Sequence, residues 1–405
     1  MERTQVKTER VYDVWSKELE ANYEDTVAMR RHLHQHPEPS FEEKETAAYI
    51  AEKLREYGVD ELKENVGNGY GMVGKIKGAH PGPTIAFRAD FDALRIHELN
   101  DVSYKSKNDG VMHACGHDTH TATLLSVAKV LVNHRDKLHG NVVLLHQNAE
   151  EVLPGGAKSM VEAGAMDGVD FVFGQHVQSL LEAETIGYTP GYAMAAADFF
   201  DIKIQGKGGH GAHPHDTVDS VIVATKLVDA MQTLVSRAVN PLHPAVVTVS
   251  TVHAGGEANN IIADTALIKG TVRTYQEEAR ETIIREMQVM ADSVAGMYHA
   301  TAEVNYTRGY DPVYNHPEET TRFVELMKET FGEDKVQERD PSMGGEDFGY
   351  FSSVKPGTFF NVGGFNPDLE ATYPHHHPRF NVDEKSMLVA GQAFLAIAED
   401  YLVKD

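Results

Sequence analysis

Apolar positions in the first third of the chain recur at helical spacing twice, at Val27, Met29 and Leu33 and again at Ala47, Ile50, Ala51 and Leu54. Residues 84–88, 141–145 and 171–174 read instead as short strands, and a helix is expected over residues 121–132. Strands alternating with helices of this length predict an α/β domain around a central mixed, mostly parallel sheet. After Gly191 the pattern changes. A strand at 199–205 is followed by a turn rich in Gly and His, a helix at 218–235, strands at 245–252 and 266–274, and a helix at 278–294. That order predicts a smaller α+β unit, ferredoxin-like in kind, of about 110 residues, long enough to fold by itself. The expected organisation is one domain built from residues 1–193 and 309–405, interrupted by an inserted domain at 194–308.

Composition narrows the function. The 37 Lys and Arg against 61 Asp and Glu give a net charge of −24, which argues against nucleic-acid and membrane-surface partners. Glu2, Arg3, Lys7, Glu9 and Arg10 make the N-terminus too charged for a signal peptide, and no apolar run nears the roughly 18 residues of a membrane span. A single cysteine excludes an intramolecular disulfide and suits a cytoplasmic location. The 22 histidines matter more, because histidine is the commonest metal ligand and the usual acid or base near neutral pH.

Several of those histidines cluster with other donor residues. Residues 111–120 read VMHACGHDTH; in an extended stretch Cys115 and His117 would face one point, a pairing that suits zinc or another first-row divalent metal. Alone, the pair is better read as a buried free cysteine beside a structural histidine. Asp92, in RADFDAL, and Asp118 are candidates to orient a metal-bound histidine, or else turn and cap residues. Glu150 and Glu151 follow an apolar strand, where one carboxylate can bind metal while the other acts as general base. His176 follows the next strand, and the carboxyl ends of strands are where ligands collect in open α/β sheets. Near the C-terminus YPHHHPRF places His375, His376 and His377 in a proline-flanked loop, and MGGEDF places Glu346 and Asp347 on a glycine turn. In the inserted domain GKGGHGAHPH contains His210, and GGEANNII contains Asn259 and Asn260 ahead of Arg273. Neither segment is a phosphate loop or a dinucleotide fingerprint.

Taken in order, RRHLHQHPEPSFEEKETA, RADFDALRIHE, HACGHDTH, QNAEE, GGAKSMVEAGAM, GQHV, GKGGHGAHPH, GGEANNIIADTALIKGTVR, MGGEDF and HHPRFNVDE resemble the dinuclear-metal aminoacylase and carboxypeptidase family. The resemblance runs from about Arg30 to Glu384 and is narrowest to the branch of hippurate hydrolases, bacterial N-acyl-amino-acid amidohydrolases and plant hydrolases of indole-acetyl amino acids. It implies two divalent ions per subunit, zinc, manganese, cobalt or nickel, held by Cys115, His117, Glu151, His176 and His376. It further implies Glu150 as general base with Asp92 beside it, His210 as a donor to the substrate carbonyl, and Asn260 and Arg273 as substrate-binding residues. The implied substrate is a small N-acyl amino acid, and the implied assembly a homodimer, or a tetramer, formed through an inserted domain that also acts as a lid. Arg95 and Asn148 stand where the family commonly has proline, and His375 and His377 flank the implied ligand His376. A cysteine-histidine hydrolase and a non-catalytic metal-binding scaffold are the competing classes; the former needs neither Glu151 nor His376, and the latter has no use for Glu150.

Overall fold

The computed structural model describes residues 10–404, so Glu2, Arg3, Lys7 and Glu9 lie outside the described residues. The chain divides into two compact units. The larger comprises the chain up to Ala193 together with Tyr314–Asp340 and the stretch from Asp347 onward; the smaller comprises Met194–Val313 and Pro341–Glu346.

The larger unit opens with helices α1 (Val11–Ala21), α2 (Tyr23–Gln35) and α3 (Lys44–Tyr57), then strands β1 (Glu61–Val66), β2 (Gly71–Lys77) and β3 (His80–Asp90). Helix α4 (His117–Asn133), strand β4 (His139–Gln147), the short α5 (Ala157–Glu162) and strands β5 (Phe171–Glu182), β6 (Ile186–Tyr188) and β7 (Gly191–Met194) follow. Helix α4 begins four residues before the apolar pattern suggests, because its first turn, His117 to His120, is polar yet fully buried. Gly116, at φ +94°, turns the chain into it, and a Cβ there would lie 2.3 Å from Val177 Cγ1.

In the smaller unit β8 (Ala196–Gln205), β9 (Gly209–His210), α6 (Ser220–Met231), β10 (Ala245–Ala254), β11 (Ile261–Ile262), β12 (Thr265–Thr274), α7 (Glu277–Met297) and β13 (Thr301–Tyr310) succeed one another. An antiparallel sheet in the order β10, β12, β8, β13 buries Phe200, Ile202, Ile204, Ile268 and Val272 against Val223, Leu227, Ile283 and Met287 of the two helices. The strands alternate buried and exposed residues, as a sheet covered on one face must. Helix α6 starts where Asp219 accepts from the amides of Val221 and Ile222, and it stops at Met231, short of the expected residue 235, before a wide π turn over Leu234–Ala238.

The chain then completes the larger unit with β14 (Val313–Asn315), α8 (Pro317–Phe331), β15 (Val336–Glu338), α9 (Gly349–Val354), β16 (Gly357–Phe365) and α10 (Lys385–Leu402). Its sheet runs β1, β2, β4, β3, β5, β16, β6, β15, with β4, β3, β5 and β16 mutually parallel and antiparallel pairings to either side. The sheet is therefore mixed with a parallel centre, and α4 and α10 are buried along almost their whole lengths. From Ile85 to Asp90 every residue of β3 is buried, the near-continuous burial expected of a parallel strand covered on both faces. The carboxyl ends of β3, β4 and β5 come together, and it is there that the donor residues collect.

Candidate metal centre

Cys115 and His117 do converge, though not along an extended stretch as expected. The left-handed Gly116 between them ends one segment and starts α4, so the turn rather than strand alternation aims both side chains. The sulfur, ring-nitrogen and carboxylate donors then form two three-donor sets, Cys115 with His117 and His176, and Cys115 with Glu151 and His376, in each of which the atoms lie within 4.8 Å of one another. The two sets share Cys115 Sγ, and a thiolate with imidazoles and a carboxylate is a donor set that would suit zinc or another first-row divalent cation.

The protein fixes the tautomers. His117 Nδ1 donates to the Asp92 carbonyl at 3.0 Å and to Asp92 Oδ1 at 3.1 Å, which leaves Nε2 buried without a hydrogen-bond partner among the described residues. His176 Nδ1 donates to the Val177 carbonyl at 2.7 Å, and its Nε2 stands 3.4 Å from Cys115 Sγ. Asp92 also accepts from Ser40 Oγ at 2.6 Å and from the Glu151 amide at 3.0 Å, so one carboxylate holds two of the donor-bearing segments. A further close group, Asp90, His117 and His120, is already committed: Arg88 and His120 Nδ1 donate to Asp90, and the Val177 amide donates to His120 Nε2. Arg88 also ties β3 to Gln147 at 2.8 Å and to Asp347 at 3.0 Å, which commits Asp347 to a buried ion pair.

The field in this pocket is negative. Burial alone would lower the basicity of His117, but Asp90, Asp92 and Glu151 outweigh it and push its pKa up to about 10. Burial, with Glu151, Glu150 and Asp90, pushes the Cys115 thiol well above its usual range. Both shifts express an excess of carboxylate, and a buried nitrogen without a partner beside a sulfur and carboxylates is the donor chemistry that a divalent cation satisfies. Glu150 belongs to two further close groups, one with His117 and Glu151 and one with Glu346 and Asp347, and its Oε2 lies 3.9 Å from His117 Nε2.

Of the three consecutive histidines, His376 has a φ of +64° and its Nε2 lies 3.3 Å from Glu151 Oε1. His375 Nδ1 stands 3.7 Å from Cys115 Sγ, and burial pushes its pKa down to about 3. His377 turns away and stacks on Tyr373, 4.5 Å between ring centres.

The smaller unit brings two of its three candidates together. His210 on β9 pairs with Ile261 on β11, and the Gly211 amide donates to the Asn260 carbonyl at 2.8 Å. Arg273, in the middle of the sheet, is separate from that ladder; its Nη1 is buried without a hydrogen-bond partner among the described residues. Sequence reasoning assigned no role to Ser40 or Arg88, although both lie inside quoted motifs, because neither residue type signals metal chemistry.

Residues 86–400 match the pattern of peptidase family M20/M25/M40. An N-acyl-L-amino acid amidohydrolase of Geobacillus stearothermophilus is 45% identical over 294 residues, 73% of this chain and 79% of that protein. Thermostable carboxypeptidase 1 of Saccharolobus solfataricus is 40% identical over 374 residues, 92% of this chain and 94% of its own. The crystal structure of the Bacillus subtilis YXEP protein, described as a dinuclear metal binding peptidase of the M20 family, superposes with a TM-score of 0.79 at 36% identity, covering 94% of this chain and 98% of that one. Gathered at the carboxyl ends of a parallel sheet, the donors of this chain accord with those likenesses, and the chain belongs to the M20/M25/M40 family of peptidases.

Proposed function

We propose that the protein is a metal-dependent amidohydrolase that cleaves the amide bond of N-acyl amino acids. The observation that carries this reading is the pair of donor sets sharing Cys115 Sγ, with a second carboxylate, Glu150, grouped closely with His117 and Glu151. The Geobacillus relative is named for N-acyl-L-amino acids, which supports the substrate class. Two divalent cations, held by Cys115, His117, Glu151, His176 and His376, would polarise the amide carbonyl and acidify water. Glu150 takes a proton from the attacking water and returns it to the amine nitrogen as the carbon–nitrogen bond breaks. Asp92 keeps the His117 ring and the Glu151 backbone in place during both steps. His210 donates to the carbonyl oxygen as negative charge develops there, and Arg273, whose buried Nη1 has no hydrogen-bond partner among the described residues, binds the substrate carboxylate with help from Asn260. A nucleophilic role for Cys115 has the electrostatics against it, since catalytic thiols are held below their usual pKa rather than above it.

We assign the smaller unit to the ferredoxin-like kind, as lid and dimerisation module, a reading that its strand order β10, β12, β8, β13 supports. Its edge strand β10 exposes Val246 and Val252, which supports pairing with a second copy across a twofold axis. The single cysteine of the chain, Cys115, supports a cytoplasmic setting. Among the described residues no helix is long and apolar enough to cross a membrane.

The deciding experiment is a hydrolysis screen of N-acetyl, N-benzoyl and indole-acetyl amino acids after chelation and reloading with zinc, manganese, cobalt or nickel. Turnover of at least one class, present only after reloading, is expected. Equal rates with and without metal, or no turnover of any N-acyl amino acid, would overturn the proposal.

A further inference from the structure

Residues 38–43, just ahead of α3, hold none of the donors yet reach two of the segments that do. Glu38 anchors this stretch, its carboxylate accepting from the amides of Glu45 at 3.1 Å and Thr46 at 2.7 Å and from the Thr46 hydroxyl at 2.8 Å. Phe41, at φ +68°, then bends the chain. With the stretch so fixed, Ser40 donates to Asp92 and Glu43 turns inward.

Glu43 stands at the N-cap of α3, but its side chain makes no capping hydrogen bond there. Its Oε1 instead accepts from the Ala149 amide at 2.8 Å, more than 100 residues away along the chain, and its Oε2 is buried without a hydrogen-bond partner among the described residues. Ala149 has a φ of +52°, a left-handed conformation that a residue with a Cβ rarely adopts unless something holds it. Glu150 and Glu151 come next, so the turn at Ala149 sets the course of the backbone that carries both carboxylates. Fully buried carboxyls are uncommon and costly. A group kept solely to fill this space would be better as leucine.

We propose that Glu43 is a positioning residue: by accepting the Ala149 amide it locks the left-handed turn that aims Glu150 and Glu151. The inference rests on the reading of those two residues as general base and metal-binding carboxylate. What the turn needs is an accepting oxygen in the right place, not a charge. Consistent with this, burial and the neighbouring Asp92 charge push the Glu43 carboxyl up to about 8, where a neutral amide is a close substitute.

The test compares Glu43→Gln, which keeps the accepting oxygen, with Glu43→Leu, which keeps the volume and loses it, in the full-length protein. Hydrogen exchange at the Ala149 amide is read in chelated protein, and Mn²⁺ affinity by competition with a chelating dye. Glu43→Leu is expected to speed exchange at Ala149 at least about tenfold and to weaken Mn²⁺ binding by about 10- to 100-fold, the usual range for groups that support a metal ligand. Glu43→Gln is expected to stay within about threefold of wild type on both. Adding Ala149→Gly to Glu43→Leu should recover part of the Mn²⁺ affinity, because glycine adopts the left-handed turn without help. If Glu43→Leu does not fold, Glu43→Ala takes its place under the same criteria. Wild-type exchange and affinity in the leucine variant, a glutamine variant as impaired as leucine, or no recovery from the added glycine would each overturn the proposal. Should wild-type protein bind no Mn²⁺, the metal reading fails by itself, and exchange at Ala149 alone decides the role of Glu43.

Discussion

Most metal-binding candidates of the larger unit are buried or half-buried, His376 being exposed, whereas His210 and Asn260 of the smaller unit lie at its surface. Cys115 and His117 are buried, and the ring nitrogens of His117 and His176 that do not face the donor sets are fixed by Asp92 and by the Val177 carbonyl. His210 is exposed on a two-residue ladder, and its Nδ1 accepts from the Ala212 amide of its own loop. The difference teaches where each kind of work can be placed. Holding cations needs donors that cannot relax, which a largely buried framework supplies, whereas groups that meet a variable substrate can be carried on short exposed segments.

The comparison can be broken most directly at the framework. Arg30 is fully buried, with Nε 2.8 Å from Asp118 Oδ2, and Asp118 also takes His34 Nδ1 at 2.8 Å. Arg30→Met leaves that carboxylate buried and without its main counter-charge, so a loss of about 3 to 5 kcal/mol is expected from urea unfolding of the chelated protein. His210→Ala in the smaller unit should change stability by less than about 0.5 kcal/mol. Equal losses in the two variants would erase the distinction.

Activity should respond in the reverse sense. Glu150→Gln and His210→Ala are each expected to lower kcat by about 10²-fold or more, the former with metal content unchanged. If His210 serves the partner subunit, mixing the two inactive variants should restore about a quarter of the sites, since half the dimers are then heterodimers with one complete site. Demonstrated subunit exchange without recovery would assign His210 to its own subunit or to no catalytic role.

The smallest effect concerns pH. His146 on β4 is fully buried, neither ring nitrogen has a hydrogen-bond partner among the described residues, and burial pushes its pKa down to about 3. The unfolded chain takes up this proton near pH 6.5 and the folded chain resists it, so stability falls as pH drops through that window, by about 1.4 kcal/mol per pH unit from this residue. His146→Leu should remove that part of the slope in chelated protein. An unchanged slope would locate the acid sensitivity elsewhere.

Much of this arrangement is legible in the sequence, but not evenly. The periodic apolar residues mark α2, α3, α7 and the centre of α4, and the apolar runs mark β3, β4 and the first half of β5. What they miss is polar and buried. The His117–His120 turn and the continuation of β5 past Gly174 carry donors in place of apolar residues, so the regular elements extend beyond the pattern that announces them. Short strands such as β6, β14 and β15 offer no period at all. The donor residue types stand out because metal chemistry restricts them to few kinds, whereas Ser40 and Glu43 act through partners more than 50 positions away, and Arg88 reaches Gln147 and Asp347 at such separations, a relation that composition and spacing do not encode.

Strand β16 pairs along its length with β5, yet it leaves the ribosome about 175 residues later. At common rates of synthesis that is a delay on the order of 10 to 35 seconds. In the interval β5 exposes a backbone edge ready to hydrogen-bond, and β8 through β13, whose pairings are all with one another, are made in full. The smaller unit can therefore fold while the larger sheet waits for its missing strand. The nascent chain is most open to mispairing in that interval, so slowed elongation between residues 182 and 357 should raise its dependence on chaperones, while the finished enzyme stays the same.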